Sequence, residues 1–295
     1  MSANTRGTIF LEEGLVLEHN AYPARQFVIR IAAAKCAAHA TPGSFAHVTC
    51  HESIPMRRPL SIMRAAAAAG WIEILYKVEG AGLHALSLAK PGDRLSILGP
   101  IGRGFELHPK RPRVLLLGGG VGIPPVVFLA ERLKERTDAP WAPLVLMGSE
   151  IPFPFELRPA RQSVAGVSDL YSACMPLLDD WGVASRLASG AGFAGCYQGF
   201  VTELADSWLA TLSAPQLGEV EIFACGPTPM LAATASLARR HGVACQVSLE
   251  EFMACAVGGC AGCAVLVESA GGPAMKRVCV DGPVFDAYSV FKAAL

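Results

Sequence analysis

Between Gly14 and about Pro100 apolar and polar residues alternate in short runs: Gln26 to Ile31, Ser44 to Thr49, Trp71 to Val78 and Arg94 to Leu98. Glycines and prolines separate them. Successive side chains of an extended strand point to opposite faces, so a period of two predicts half-buried strands, and a series of short ones predicts an antiparallel β-barrel. Ala65 to Ala69 has high helix propensity, yet it lies between two strand candidates and ends at Gly70, so it reads as a connecting turn.

After the basic, proline-punctuated stretch Lys110 to Arg113 the texture changes. Strand candidates at Val114 to Leu117, Pro143 to Gly148 and Val220 to Ala224, apolar but for Glu221, alternate with helical patterns at Ile123 to Arg136 and Pro229 to His241. Short, largely apolar strands separated by helices predict a doubly wound α/β domain around a parallel sheet. Residues 150–200 are rich in Pro, Ser, Ala and Gly, and their elements are not placed. Val114 to Ala130 carries no charge, but it is short for a membrane span, and its glycines and prolines break it into strand, turn and helix start. The expected division is therefore a multi-domain β plus α/β chain: a barrel at 1–110, an α/β domain at 111–248 and a small C-terminal unit at 249–295.

The 295 residues hold 25 basic and 25 acidic side chains, a balance that argues against nucleic acid or an anionic membrane as partner. The N-terminal residues show no basic segment followed by an apolar one, so no export signal is expected. Without export, the ten cysteines read as reduced thiols and metal ligands, and a cytoplasmic location follows.

Cys255, Cys260 and Cys263 form C-x4-C-x2-C, and Cys279 follows after fifteen intervening residues. This spacing fits a [2Fe–2S] cluster, whose loop must bend closely around the inorganic core; Gly258, Gly259 and Gly262 permit that. Zinc is the alternative, although zinc ribbons usually bring two C-x2-C knuckles and only one is present. The run Gly118 to Pro124 joins a strand to a helix start, where backbone amides can receive a pyrophosphate. Cys225-Gly226-Pro227 ends a second strand at the same carboxyl edge, where open α/β sheets bind ligands. Cys225 reads either as a small buried thiol or as a group beside a nicotinamide. In the barrel, Arg58-Pro59-Leu60-Ser61 places a guanidinium and a hydroxyl on one extended segment, and a guanidinium can clamp a diphosphate. The seven histidines show no metal-binding spacing, and His47 and His51 read as solvated or core residues.

These pieces, in this order, resemble the ferredoxin-reductase superfamily. With the cysteine run, the resemblance narrows to the electron-transfer subunits of two-subunit, NAD-linked dihydroorotate dehydrogenases. Its carriers are Arg58 to Ser61, Leu75-Tyr76-Lys77, Gly80-Ala81-Gly82-Leu83, Gly99-Pro100-Ile101-Gly102-Arg103-Gly104-Phe105, Gly118 to Pro124, Cys225-Gly226-Pro227, the four cysteines, and Asp281-Gly282-Pro283-Val284-Phe285.

The resemblance implies FAD held by Arg58, Pro59, Leu60, Ser61, Leu75, Tyr76, Lys77, Gly82 and Leu83, with Leu83 standing where the family usually carries threonine. It implies NAD at Gly119, Gly120, Gly122, Gly226 and Pro227, with Cys225 as the catalytic residue, and a [2Fe–2S] cluster on Cys255, Cys260, Cys263 and Cys279. Glu150 favours NAD over NADP through a ribose hydroxyl. The implied function is electron relay between NAD and a separate FMN-containing dihydroorotate dehydrogenase subunit in pyrimidine biosynthesis, with a heterotetrameric assembly. Met253, Val284 and Phe285 are candidate contacts to that partner or cover for the cluster. The competing readings are a reductase serving a ferredoxin, oxygenase or hydrogenase-type partner, and a cluster-holding redox sensor without turnover.

Overall fold

The computed structural model describes residues 7–269 and 271–292. The expectation about an export signal bears in part on residues 1–6, outside that range. By contact the chain parts into two compact units: residues up to Gly104 with Glu250–Val284, and Phe105–Leu249 with the segment from Phe285 onward. The cysteine segment thus packs with the barrel, and the residues after Val284 join the α/β unit. Among the described residues no helix is long and apolar enough to cross a membrane.

In the first unit, β1 (Phe10–Tyr22), β2 (Gln26–Ala32), β3 (Phe45–Val48), β4 (Arg58–Ala66), β5 (Trp71–Lys77) and β6 (Arg94–Ile101) close into a barrel in the order β1-β2-β5-β4-β3-β6. Every neighbouring pair is antiparallel. Closure leaves no exposed edge for another chain to pair with. Two short helices, α1 (Ala34–His39) and α2 (Gly80–Leu86), connect strands. Ala65 and Ala66 extend β4 and the turn begins after them, because pairing with Ile72 and Trp71 overrides helix propensity there.

In the second unit, β7 (Arg113–Gly119), α3 (Ile123–Leu133), β8 (Ala142–Gly148), β9 (Arg158–Pro159), β10 (Ala173–Cys174), α4 (Pro176–Asp180), β11 (Ala184–Ala188), α5 (Val201–Leu209), α6 (Ala214–Gly218), β12 (Val220–Cys225), α7 (Thr228–His241) and β13 (Ala244–Ser248) follow in turn. The sheet order is β11-β8-β7-β12-β13-β16, where β16 is Val284–Asp286, and β11 through β13 are parallel. Pro124 and Pro125 begin α3, where their missing N–H groups cost no intrahelical bond. Glu221 is the one charged residue of β12 and is 2% exposed. Its carboxylate meets His108 Nδ1 at 2.9 Å and accepts from Arg111 Nε at 3.0 Å and Gln246 Nε2 at 2.9 Å, which fixes the basic stretch before β7.

Candidate functional site

The cysteine site is built by a hairpin. β14 (Ala264–Ser269) and β15 (Gly272–Arg277) pair so that Ala264 faces Arg277, which sets the flanking Cys263 and Cys279 side by side with Sγ atoms 3.3 Å apart. Preceding them, residues 254–260 form successive bends that lead into a turn at 262–263, with Ala256 (φ 56°) and Ala261 (φ 55°) in the left-handed region that non-glycine residues rarely occupy. The Cys260 N–H donates to Cys255 Sγ and the Gly262 N–H to Cys260 Sγ, each at 3.4 Å. Arg277 Nη1 holds the loop by donating to the Gly258 carbonyl at 2.8 Å.

Each of the ten cysteines is a free thiol. Burial opposes ionisation of Cys255, but amide donors of Cys260, Val257 and Gly259 outweigh it and bring its pKa down to about 7. Cys279 is pushed up to about 12 by burial and by the adjoining Cys263 thiol. The sulfurs of Cys263 and Cys279 adjoin, the Cys255 sulfur takes the Cys260 amide, and among the described residues no group of three or more His, Cys, Asp or Glu side chains is placed to hold a single metal ion. A single zinc needs all four thiolates on one centre, whereas a two-iron cluster takes two per iron. The donor set therefore fits the cluster.

In the barrel, Arg58-Pro59-Leu60-Ser61 opens β4, paired with β3 through Val48 to Phe45. Arg58 Nη1 donates to the carbonyls of Met56 and Arg57 at 2.8 and 3.2 Å. Its guanidinium lies against Gly82, where a Cβ would stand 2.8 Å from Nε and Nη2. Two of the expected flavin-binding segments, separated in sequence, thus meet. Tyr76 is 1% exposed, its hydroxyl meets His19 Nε2 at 2.9 Å, and its ring stacks on Phe27. Burial pushes the phenol pKa up. Its side chain packs in the barrel wall. Leu83 sits in α2, its carbonyl bonded to the Ser87 N–H.

In the α/β unit, parallel pairing of β7 and β12 sets Cys225 opposite Gly118. A Cβ on Gly122 would come within 2.5 Å of the Cys225 carbonyl and the Gly226 Cα. One on Gly226 would meet Met230 Cε at 2.7 Å, and one on Gly119 would also strike Met230. These three glycines are required by the close approach of the two strand ends and by the Met230 side chain seated there; beside Gly120 there is open space. Cys225 is 0% exposed and matches the buried-thiol alternative. Glu150 accepts the Gly190 N–H at 3.2 Å at the end of β8.

Sequence reasoning missed Met230. Of the two histidines read as solvated or core residues, His47 lies in the core at 1% exposure and His51 is exposed.

A family model described as the iron–sulfur cluster binding domain of dihydroorotate dehydrogenase B matches residues 250–291. "Dihydroorotate dehydrogenase B (NAD(+)), electron transfer subunit" of Caldanaerobacter subterraneus subsp. tengcongensis is 35% identical over 250 residues, covering 84% of this chain and 86% of that one. The chain belongs to this family of electron transfer subunits. The like-named electron transfer subunit of Bacillus caldolyticus is 35% identical over 253 residues, with the same coverage. Among solved structures, that of an NADH-dependent reduced ferredoxin–NADP oxidoreductase matches this electron transfer subunit with a TM-score of 0.76 and 28% identity, over 95% of this chain and 90% of the other. The ferredoxin reductase of carbazole 1,9a-dioxygenase matches at 0.60 and 21%, over 80% and 67%, and shows the shared fold.

Proposed function

We propose that this electron transfer subunit relays electrons between NAD and a separate, FMN-containing subunit that oxidises dihydroorotate, in pyrimidine biosynthesis. One observation carries the reading: four cysteines, on a segment matching the family's iron–sulfur domain, fold into the same unit as a barrel bearing the Arg58 to Ser61 segment. Bound FAD supplies the exchange between a two-electron nicotinamide couple and a one-electron cluster.

The residues divide the work. Arg58, set against Gly82, would clamp the FAD diphosphate, and Ser61 would donate its hydroxyl to the flavin ring. Leu83 cannot donate from its side chain, so the backbone of α2 takes over where the family carries threonine. Gly120, beside open space, would admit the nicotinamide dinucleotide to the edge formed by Gly119, Gly122, Gly226 and Pro227. Cys225, wholly buried, would shape the strand end on which that edge rests. Glu150, already bonded to the Gly190 amide, would accept a ribose hydroxyl and so favour NAD over NADP. Cys255, Cys260, Cys263 and Cys279 would hold the irons. The assembly is a heterotetramer of two subunits of each kind, and the free thiols suit the reducing cytoplasm.

The test is an iron, sulfide and FAD count on anaerobically purified protein, then dihydroorotate-dependent NAD reduction after co-expression with the FMN subunit. Stoichiometric zinc without acid-labile sulfur overturns the cluster. The 28% identity to a ferredoxin–NADP oxidoreductase over 95% of the chain supports a second reading, a reductase serving ferredoxin. Ferredoxin reduction by NADH, with no coupling to the FMN subunit, would establish it.

A further inference from the structure

Arg277 closes β15 opposite Ala264, and between its main chain and its side chain it reaches both halves of the cysteine segment. Its carbonyl accepts the Val280 N–H at 3.0 Å and the Asp281 N–H at 2.7 Å, while its own N–H donates to Asp281 Oδ2 at 2.8 Å. These bonds fold 277–281 into a turn that carries Cys279. The Val278 N–H donates to the Cys263 carbonyl at 3.0 Å, which ties the neighbouring thiol to the same turn.

The side chain works in the other direction. Nη1 donates to the Gly258 carbonyl at 2.8 Å, in the middle of the stretch between Cys255 and Cys260. Gly258 has φ +83°, and a Cβ there would stand 2.5 Å from Val280 Cγ2 and 3.3 Å from Arg277 Nη1, so the loop lies directly on the turn. The guanidinium is permanently charged. The acid facing it is Asp281, whose Oδ2 stands 3.9 Å from Nε, a long ion pair on a side chain that is 43% exposed.

We infer that Arg277 is the positioning residue of the cysteine loop: its guanidinium sets the loop between Cys255 and Cys260 against the adjoining Cys263 and Cys279, and its charge, opposed by that of Asp281, sets the reduction potential of the centre the four thiols hold. This rests on the cluster assignment of the proposed function. Contacts behind the ligands orient them and tune a metal centre without touching it. Four thiolates leave a two-iron centre negative, and reduction adds one more negative charge, so a cation beside the loop favours the reduced form and a carboxylate the oxidised form.

The experiment compares Arg277→Met, Arg277→Lys and Asp281→Asn with the unaltered protein, by redox titration followed by electron paramagnetic resonance at low ionic strength, on material matched for iron and acid-labile sulfide. Arg277→Met removes the cation and leaves the Asp281 carboxylate unopposed. It should disfavour cluster reduction about tenfold, which for a one-electron couple is about 59 mV. Arg277→Lys keeps the charge and should recover most of the potential. Asp281→Asn keeps an acceptor for the Arg277 N–H and should move the potential the opposite way, a change of sign that a merely structural prop would not give. Salt at about 1 M should shrink both shifts, because exposed charges are screened. An unchanged potential in Arg277→Met, or shifts of one sign in Arg277→Met and Asp281→Asn, overturns the inference while the cluster assignment stands. If Arg277→Met takes up no cluster, Asp281→Asn decides by itself, and an unchanged or lowered potential there overturns the inference. If the unaltered protein lacks acid-labile sulfur, the underlying cluster assignment fails instead, and the inference with it.

Discussion

The backbone N–H of Arg103 donates to the carbonyl of Gly282 at 2.6 Å, and Arg103 pairs with Pro283 as an isolated bridge. Two motifs far apart in the chain, Gly99 to Phe105 and Asp281 to Phe285, thereby pin the exit of the cysteine segment to the end of β6. At Gly102 φ is +93°, and an added Cβ would run into the Pro283 ring. Gly102→Ala should cost about 2–4 kcal/mol from backbone strain and overpacking together. Urea unfolding measures it, and loss of cluster absorbance should precede loss of flavin.

Cluster and flavin should load separately although their segments share one unit. Cys260 is exposed, so Cys260→Ser should abolish the cluster's visible absorption while FAD content and NADH-dependent flavin reduction persist. Loss of flavin reduction in a folded variant would show that the two cofactors do not load independently.

Glycines at the nucleotide edge should differ in tolerance. A Cβ at Gly122 meets backbone on the neighbouring strand end, which cannot move aside, whereas one at Gly226 meets chiefly the flexible tip of Met230. Gly122→Ala should destabilise by about 3 kcal/mol or more and Gly226→Ala by about 1 kcal/mol, the latter recovered in part by Met230→Ala. Chemical denaturation ranks them, and NADH titration shows whether binding falls in the same order.

Removing the proposed diphosphate clamp should act on FAD alone. Arg58→Ala should weaken FAD binding about ten- to hundredfold, equivalent to the roughly 1.5–3 kcal/mol of a charged hydrogen bond. Arg58→Lys should recover only part of it, since an ammonium lacks the bidentate fork. Fluorescence of released flavin is the readout. FAD affinity unchanged in Arg58→Ala would place the diphosphate elsewhere.

What was legible in the chain follows from periodicity. Alternation marked β6 and in part β2, where one face is more exposed, whereas β3 and β5 are buried along most of their length; largely apolar runs marked β7, β8 and β12, because a parallel sheet is covered on both sides. The helix expected to reach Arg136 ends at Leu133, where the apolar face stops. Residues 150–200 stayed opaque because their order is ionic and short-ranged. β9 and β10 are two residues each, secured by Arg158 and Arg161 on Asp179 and Asp180, and such pairings leave no period to read. At the sites, spacing singled out the four cysteines, while nothing in it marked the contact of the Tyr76 hydroxyl with His19.

The position of β16 changes what kind of segment the cysteine loop is. Glu250–Val284 leaves the α/β sheet after β13 and the chain comes back to that same sheet as β16, followed by α8 (Ala287–Val290), whose Tyr288 hydroxyl donates to the Val243 carbonyl. It is an insertion stitched at both ends, not a tail. A homologue could not shed its iron by stopping translation early, since that would also strip the edge of its nucleotide sheet; loss of the centre has to come by internal deletion or by replacing thiols one at a time.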